Sequence, residues 1–520
     1  MQVFLRGVSG LADVELDTER DVVSCLRGTT MIRKIFAAIA LVVVGSASAA
    51  AQDVKTVLGN ATKAMGVDTL TSIHYYGVAQ TGNLGQNNNA NQPWPMANAS
   101  DYVRAIDFSQ PASRATWVTY ATPVTGGAAS PGQGQQNITP QNMAWAQQLE
   151  IWITPWGFLK GAAANNATVR SQTIGDRRYQ EVSWNSPIKS PGGLPYRVVG
   201  YINAQNLVER VQTWLENPVF GDMLVETEYM HYRDNNGLKF PAKVVQRRGG
   251  WPVFDAYILG ARSNPVDLQK LMTIPPAAGR GGAPAGGAPG AAPGAAAGPA
   301  SEKLADGVFR ITGAYNALAV EFADHALIFE PGPQNEARAQ AIIAETKRVI
   351  PNKPIRYGVI SHHHFDHSSG LAAVVAEGIT IVTPEVNKSF LERALSGPRT
   401  LAPDSLSKSG RKPVVEGFAG DRRVFQDSTR TFEVHLIKGL PHADGLVVGY
   451  LPKERLLVYA DMFNLPPAAT PVPDPPIVGT MVFLENLERL KLDVDRILSV
   501  HTLNPDRLAS VADIRASLGK

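Results

Sequence analysis

The sequence predicts an α+β protein of two unlike halves, an antiparallel β-rich domain followed by one in which strands and helices alternate. Three observations carry this reading. At 520 residues the chain exceeds the size at which a single core stops growing. A run of Ala, Gly and Pro, PPAAGRGGAPAGGAPGAAPGAAAGPA over residues 275–300, lacks apolar periodicity and reads as a flexible to semi-extended linker. The hydrophobic spacing also changes across that run, from short period-two segments with close turns to strand-length runs separated by helical spacing.

Composition narrows the class. A hydrophobic fraction of 44% and a charged fraction of 18% suit a soluble globular chain. A formal charge of +3 gives no argument for nucleic acid or an anionic membrane surface as partner. From Met31 the chain reads MIRKIFAAIALVVVGSASAAAQ: a basic n-region at Arg33 and Lys34, an apolar stretch from Ile35 to Val44, then small residues suited to cleavage. The apolar run is too short for a stable membrane span. Residues 31–51 are therefore expected to be a signal peptide, residues 1–30 a misassigned extension upstream of the true start at Met31, and the protein periplasmic or secreted. The single cysteine, Cys25, falls in that leader, so a mature chain has neither disulfides nor thiolate metal ligands.

Residues 53–272 form the expected β-rich N-terminal domain. A helix is predicted over Val54–Met65, and strands over Ser72–Val78, Ala115–Tyr120, Arg178–Trp184, Arg197–Ile202, Leu207–Trp214, Met223–Tyr232, Ala242–Gln246 and Val253–Leu259. Asp234-Asn235-Asn236-Gly237 supplies a hairpin turn. The polar stretches Thr81–Ser100 and Gly126–Asn142 read as long loops. All 8 tryptophans lie in this half, which predicts ring packing in the core or an apolar groove for a lipid-like or aromatic ligand. In pattern, a helix followed by a curved antiparallel sheet, the segment resembles periplasmic lipoprotein-carrier domains, which would add an apolar ligand as partner.

In residues 301–520 the expected strands are Val308–Thr312, Ala317–Phe322, Ala326–Phe329, Arg356–Ser361, Ile379–Val382, Thr431–Ile437, Leu446–Leu451, Leu456–Tyr459 and Arg496–Val500. The expected helices are Asn335–Ile350, Gly370–Glu377, Glu385–Leu395 and Phe483–Leu490. Just after one strand stands SHHHFDHSSGL, which sets His362, His364, Asp366 and His367 in the order H-x-H-x-D-H. On extended backbone alternate residues share a side, so His362 and His364 can grip one cation, with Asp366 and His367 past the turn for a second. Imidazole and carboxylate are ligands that zinc accepts. With 10 histidines in the chain, a chance match to this pattern has odds on the order of one in several thousand.

These residues resemble the metallo-β-lactamase superfamily, and the resemblance covers essentially all of 301–520. It implies an αββα sandwich and two zinc ions. His362, His364 and His442 (in GLPHADG) would hold one ion, and Asp366, His367 and His501 (in LSVHTLN) the other, with Asp461 (in VYADMF) between them. Glu330, in LIFEPG, stands where the family usually has Asp, and would orient the metal loop. His363 is expected to point away and His325 to be solvated, while His435 is a candidate to line the cleft. By the resemblance, Asp366 also orients a water shared by the metals, the nucleophile of a hydrolase. Glyoxalase II, di-iron and nuclease branches are disfavoured by the short tail, by His364 and by the absence of a positive surface. The expected function is an exported binuclear zinc hydrolase acting on a small ester, lactone or amide. Alternatives are a β-lactam hydrolase, against which Asp461 stands in place of Cys or Ser, and a periplasmic carrier with a vestigial metal site.

Overall fold

The computed structural model describes residues 53–120, 131–142, 144–274, 300–467 and 470–520. The expected extension, signal peptide and nearly all of the linker lie outside the described residues.

Helix α1 (Val54–Met65) spans the residues expected of it and presents Val57, Ala61 and Met65 to the core, a spacing of one helical stripe. It leads into an antiparallel sheet of β1 (Ser72–Gly82), β2 (Met96–Asp107), β3 (Ala112–Tyr120), β4 (Pro131–Ile138), β5 (Thr168–Ile174), β6 (Arg177–Lys189), β7 (Pro195–Ile202), β8 (Val208–Asn217), β9 (Gly221–Asn235), β10 (Leu238–Arg248) and β11 (Trp251–Ser263). The order is β4-β3-β2-β1-β11-β10-β9-β8-β7-β6-β5, so the pairing of β1 with β11 joins two meanders into one sheet. Along β8 the inward residues Val208, Val211, Thr213 and Leu215 alternate with more exposed ones, as a sheet with one covered face requires. The β9–β10 hairpin turns at Asn236 (φ 52°) and Gly237 (φ 83°), both left-handed, which is why Asn-Gly stands there.

The covered face packs on α1 and on two helices not expected from the sequence, α2 (Trp145–Trp152) and α3 (Pro155–Ala164). Thr154 caps α3 by accepting the Gly157 N–H at 3.1 Å, with Pro155 at the first helical position. The helix escapes sequence reading because PWGFLKGAAA is buried nearly all round and leaves no apolar stripe. Its Phe158 lies so close to β7 that a Cβ on Gly200 would stand 2.2 Å from the ring. Two corrections concern the polar stretches. Only residues 83–95 of Thr81–Ser100 are loop, because β1 and β2 continue into its ends, and the second stretch contains β4, a Gln/Gly-rich edge strand without apolar alternation. Among the tryptophans, Trp94, Trp145, Trp156 and Trp184 are buried in packing contacts. The short α4 (Leu268–Met272) follows β11.

The C-terminal half stacks two sheets. The first runs β12 (Ser301–Ala305), β13 (Val308–Ile311), β14 (Ala317–Glu321), β15 (Ala326–Phe329), β16 (Ile355–Val359), β17 (Thr380–Pro384), β18 (Val415–Phe418) in spatial order, with β15 to β18 parallel. The second runs β19 (Arg422–Gln426), β20 (Thr431–Leu436), β21 (Val447–Leu451), β22 (Leu456–Tyr459), β23 (Arg496–Ser499). Phe329, Val359 and Val382 of the first sheet meet Phe432, Val447 and Leu498 of the second in a core between them. Outside the first sheet lie α5 (Glu336–Val349), α7 (Leu371–Glu377), α8 (Glu385–Leu395) and α9 (Ser405–Ser409), the last not expected; α6 (Phe365–Ser368) is a single helical turn. Outside the second lie α10 (Val478–Leu490) and α11 (Val511–Ser517). The layers are αββα. Strands such as ALIF and LLVY are buried on both faces and so read as unbroken apolar runs.

The halves dock through both polar and apolar contacts. Asp222, just inside β9, accepts the backbone N–H groups of Thr400 and Leu401 at 3.0 and 2.9 Å. Buried Arg399 donates to the carbonyls of Pro218 and Val219 and pairs with Asp404 at 2.7 Å. Ala90 and Val219, from the N-terminal half, join the apolar cluster beneath α5, α7 and α8.

Candidate metal centre

Four loops at one edge of the sandwich bring polar side chains together. The histidine-rich segment follows β16, His442 lies between β20 and β21, Asp461 follows β22 and His501 follows β23. Strands ending side by side in packed sheets hold such loops in fixed relation, which is how a scaffold makes a site from residues far apart in sequence. The donor atoms of His362, His364, His442 and Asp461 all lie within 4.8 Å of one another, and so do those of Asp366, His367, Asp461 and His501. Every residue expected of the site is therefore in one of two groups, and Asp461 is in both.

The Asp461 carboxylate occupies the middle. Its Oδ2 lies 3.1 Å from His362 Nε2, 3.0 Å from His442 Nε2 and 3.0 Å from His367 Nε2, while Oδ1 contacts His501 Nε2. Asp461 holds a left-handed backbone, φ 59°, and Glu330 another, φ 67°. For non-glycine residues such conformations cost on the order of 1–3 kcal/mol and persist where the surroundings over-determine them. Both carboxylates are aimed at the cluster by that backbone.

Glu330, wholly buried at the end of β15, accepts the Ser361 N–H through Oε2 at 3.3 Å and holds His367 Nδ1 with Oε1 at 3.1 Å. That leaves His367 Nε2 turned toward Asp461 and Asp366. Tyr315, which sequence reading did not single out, donates its hydroxyl to Asp366 Oδ2 at 3.0 Å and lays its ring against His501. Gln86, 280 residues upstream, donates to the other Asp366 oxygen at 2.9 Å. A polar residue inside an Asn/Gln-rich stretch carries no mark in sequence that it reaches this cluster.

Electrostatics fit the same picture. Burial, with the charge of His367 nearby, pushes His362 down to about 3, and burial lowers His364 well below the usual imidazole range. Both are thus neutral and keep a lone pair. Burial works against ionising Asp461 and Asp366, yet the adjoining His367 outweighs it and holds both carboxyls well below their ordinary values. Burial likewise opposes a proton on His367, and Asp461 and Glu330 overcome it. His364 Nδ1 is buried without any hydrogen-bond partner. Neutral imidazoles and ionised carboxylates are a donor set suited to a borderline cation such as zinc.

Of the remaining histidines, His363 points away from the cluster, with Nε2 on the Asn87 carbonyl at 2.8 Å. His435 pairs with Glu433 at 2.7 Å and takes no part in either group. His325, expected to be solvated, is instead 8% exposed and stacked on Phe322, because the turn folds its ring onto the core edge.

Residues 310–501 match the metallo-beta-lactamase superfamily. The C-terminal half is a metallo-β-lactamase superfamily domain. A curated relative, the 2,4-dinitroanisole O-demethylase subunit alpha of Nocardioides sp. (strain JS1661), is 26% identical over 174 residues, 33% of this chain and 46% of the relative. The chain thus spans about half the length of that relative. Solved metallo-β-lactamases from Pontibacter korlensis (17% identity, TM-score 0.30, 42% of this chain and 97% of that one) and Hirschia baltica (17%, 0.31, 42% and 96%) are similar to this domain. Within the metallo-β-lactamase domain, Glu330 takes the place of an orienting carboxylate, and losing it should loosen the cluster. Glu330→Gln is expected to weaken zinc affinity roughly 10–100-fold, read by competition with a chromophoric chelator. Affinity equal to the parent's would show that Glu330 does not orient His367.

Proposed function

We propose that the protein is an exported binuclear zinc hydrolase acting on a small ester, lactone or amide. The observation that carries the reading is the placement of the Asp461 carboxylate within reach of both donor groups. His362, His364 and His442 would hold one ion, Asp366, His367 and His501 the other, and Asp461 would lie between. Bound zinc supplies Lewis acidity, which polarises a substrate oxygen and makes water a competent nucleophile near neutral pH.

The chain's own residues do the rest. Glu330 fixes the ring of His367 and thereby the nitrogen it offers. Tyr315 holds one oxygen of Asp366, which restrains that carboxylate as it orients the attacking water. Burial together with the Asp366 charge raises the Tyr315 hydroxyl above its ordinary range, so it remains a donor at neutral pH. Burial of His362, His364 and His367 excludes bulk water from their rings.

The substrate is an electrophile of a kind the machinery does not itself select. Esters, lactones and a cephalosporin belong in a test panel, and an electron-poor aryl methyl ether joins them because of the name carried by the Nocardioides relative. Among the described residues no helix is long and apolar enough to cross a membrane. Export is proposed from residues 31–51 alone, and a natural product whose mass begins near Ala50 to Gln52 would support it; one beginning at Met1 would exclude it.

Full-length protein should carry two zinc ions per chain and hydrolyse at least one panel compound in a chelator-sensitive way. His364→Ala should reduce that turnover by about 100-fold or more without unfolding the N-terminal sheet. A metal-free parent that binds an apolar ligand tightly through residues 53–272 would replace the enzyme with a carrier.

A further inference from the structure

The loop joining β1 to β2, residues 83–95, belongs by connection to the N-terminal sheet, yet it lies along the histidine segment. Gly85 accepts the Phe365 N–H at 3.2 Å, and its own φ of +82° admits few other residues. A Cβ there would stand 2.2 Å from the Phe365 ring, so the loop backbone runs directly against the motif. Next along it, Gln86 donates to Asp366 Oδ1 at 2.9 Å, the oxygen opposite the one facing His367. Asn87, 1% exposed, turns its carbonyl to His363 Nε2 at 2.8 Å and His364 Nε2 at 3.0 Å. A carbonyl can only accept, so both Nε2 atoms carry hydrogen. That choice of tautomer leaves the lone pair of His364 on Nδ1, the buried atom without a partner.

The same loop brackets the His442 loop. Asn88 donates its amide to the Pro441 carbonyl at 2.8 Å and accepts the Asp444 N–H at 2.6 Å, while Asn89 donates to the Asp444 carboxylate at 2.9 Å. Trp94 closes the far end, edge-on to Phe365 with ring centres 5.7 Å apart. Two of the four loops that form the cluster are thus fastened by one strap from the other half of the protein.

We infer that this strap is a working part of the metal centre, with Gln86 and the Asn87 carbonyl as positioning groups that hold Asp366 and His364 in ligating orientation. The inference rests on the binuclear reading above and goes beyond it by giving the N-terminal half a role in the chemistry. Because Gln86 touches only the group containing Asp366, its loss should be felt by one ion and not by the other. Groups that orient metal ligands in this way typically contribute 10–100-fold to affinity or activity.

The test is a Zn²⁺ titration of the full-length protein against a competing chelator, with the parent, Gln86→Met and Gly85→Ala side by side. Gln86→Met keeps the length of the side chain and removes the donor. It should weaken the second zinc roughly tenfold or more while the first binds as in the parent, and kcat should fall with KM little changed. Gly85→Ala forces the strap away from Phe365 and should weaken both ions, since it moves Gln86 and Asn87 together. Near-ultraviolet circular dichroism of the metal-free proteins, matching the parent's, separates these effects from misfolding. If the parent binds two ions and both variants bind them as tightly, the strap is only a docking contact and the inference falls alone. If the parent binds no zinc, the binuclear reading falls and takes this inference with it.

Discussion

The contact of one carboxylate, Asp461, with four imidazoles is the interaction on which the arrangement depends. Its two oxygens meet His362, His367, His442 and His501, drawn from three other loops. Burial strips His362 and His367 of solvent, and the charges of Asp461 and Glu330 favour a proton on His367. Such a cluster is costly unless it is paired, and metal ions are the partners that its donor atoms suit.

Holding it together requires rigidity beneath and around it. The two sheets supply the first, with buried strands that end side by side. The left-handed residues Glu330 and Asp461 turn their carboxylates inward at some cost in backbone energy, which the packed strands β15 and β22 can sustain. Around the donors, Glu330, Tyr315, Gln86 and the Asn87 carbonyl hold His367, Asp366 and His364 in place. The last two come from the N-terminal half, which also docks on the C-terminal half through Asp222 and Arg399. Fold, interface and chemistry thus form one chain of causes.

Much of this could be read from the residues. Alternating strands and helices followed from unbroken apolar runs between stretches of helical spacing, their αββα stacking only from the family resemblance, and α1, α8, β15 and β22 run where that spacing placed them. His362, His364, Asp366 and His367 carried a chemical signature in their spacing, His442, Asp461 and His501 were reached through the family resemblance, and all seven converge. What stayed hidden has physical reasons. Helix α3 is apolar all round, β4 is a polar edge strand, and neither displays a period. Gln86 and Asn87 sit among chemically similar neighbours, so only the docking of two halves reveals which amide and which carbonyl reach the cluster. His325 looked like a turn residue, and its stacking on Phe322 is a tertiary contact that local sequence does not encode.

The central claim is that Asp461 lies between two cations. Diffraction from crystals of the full-length protein grown with zinc, collected on both sides of the zinc absorption edge, tests it most directly. The account predicts two anomalous peaks flanking the Asp461 carboxylate, one beside His362, His364 and His442 and the other beside Asp366, His367 and His501. A single peak, or zinc bound only elsewhere on the chain, would contradict it.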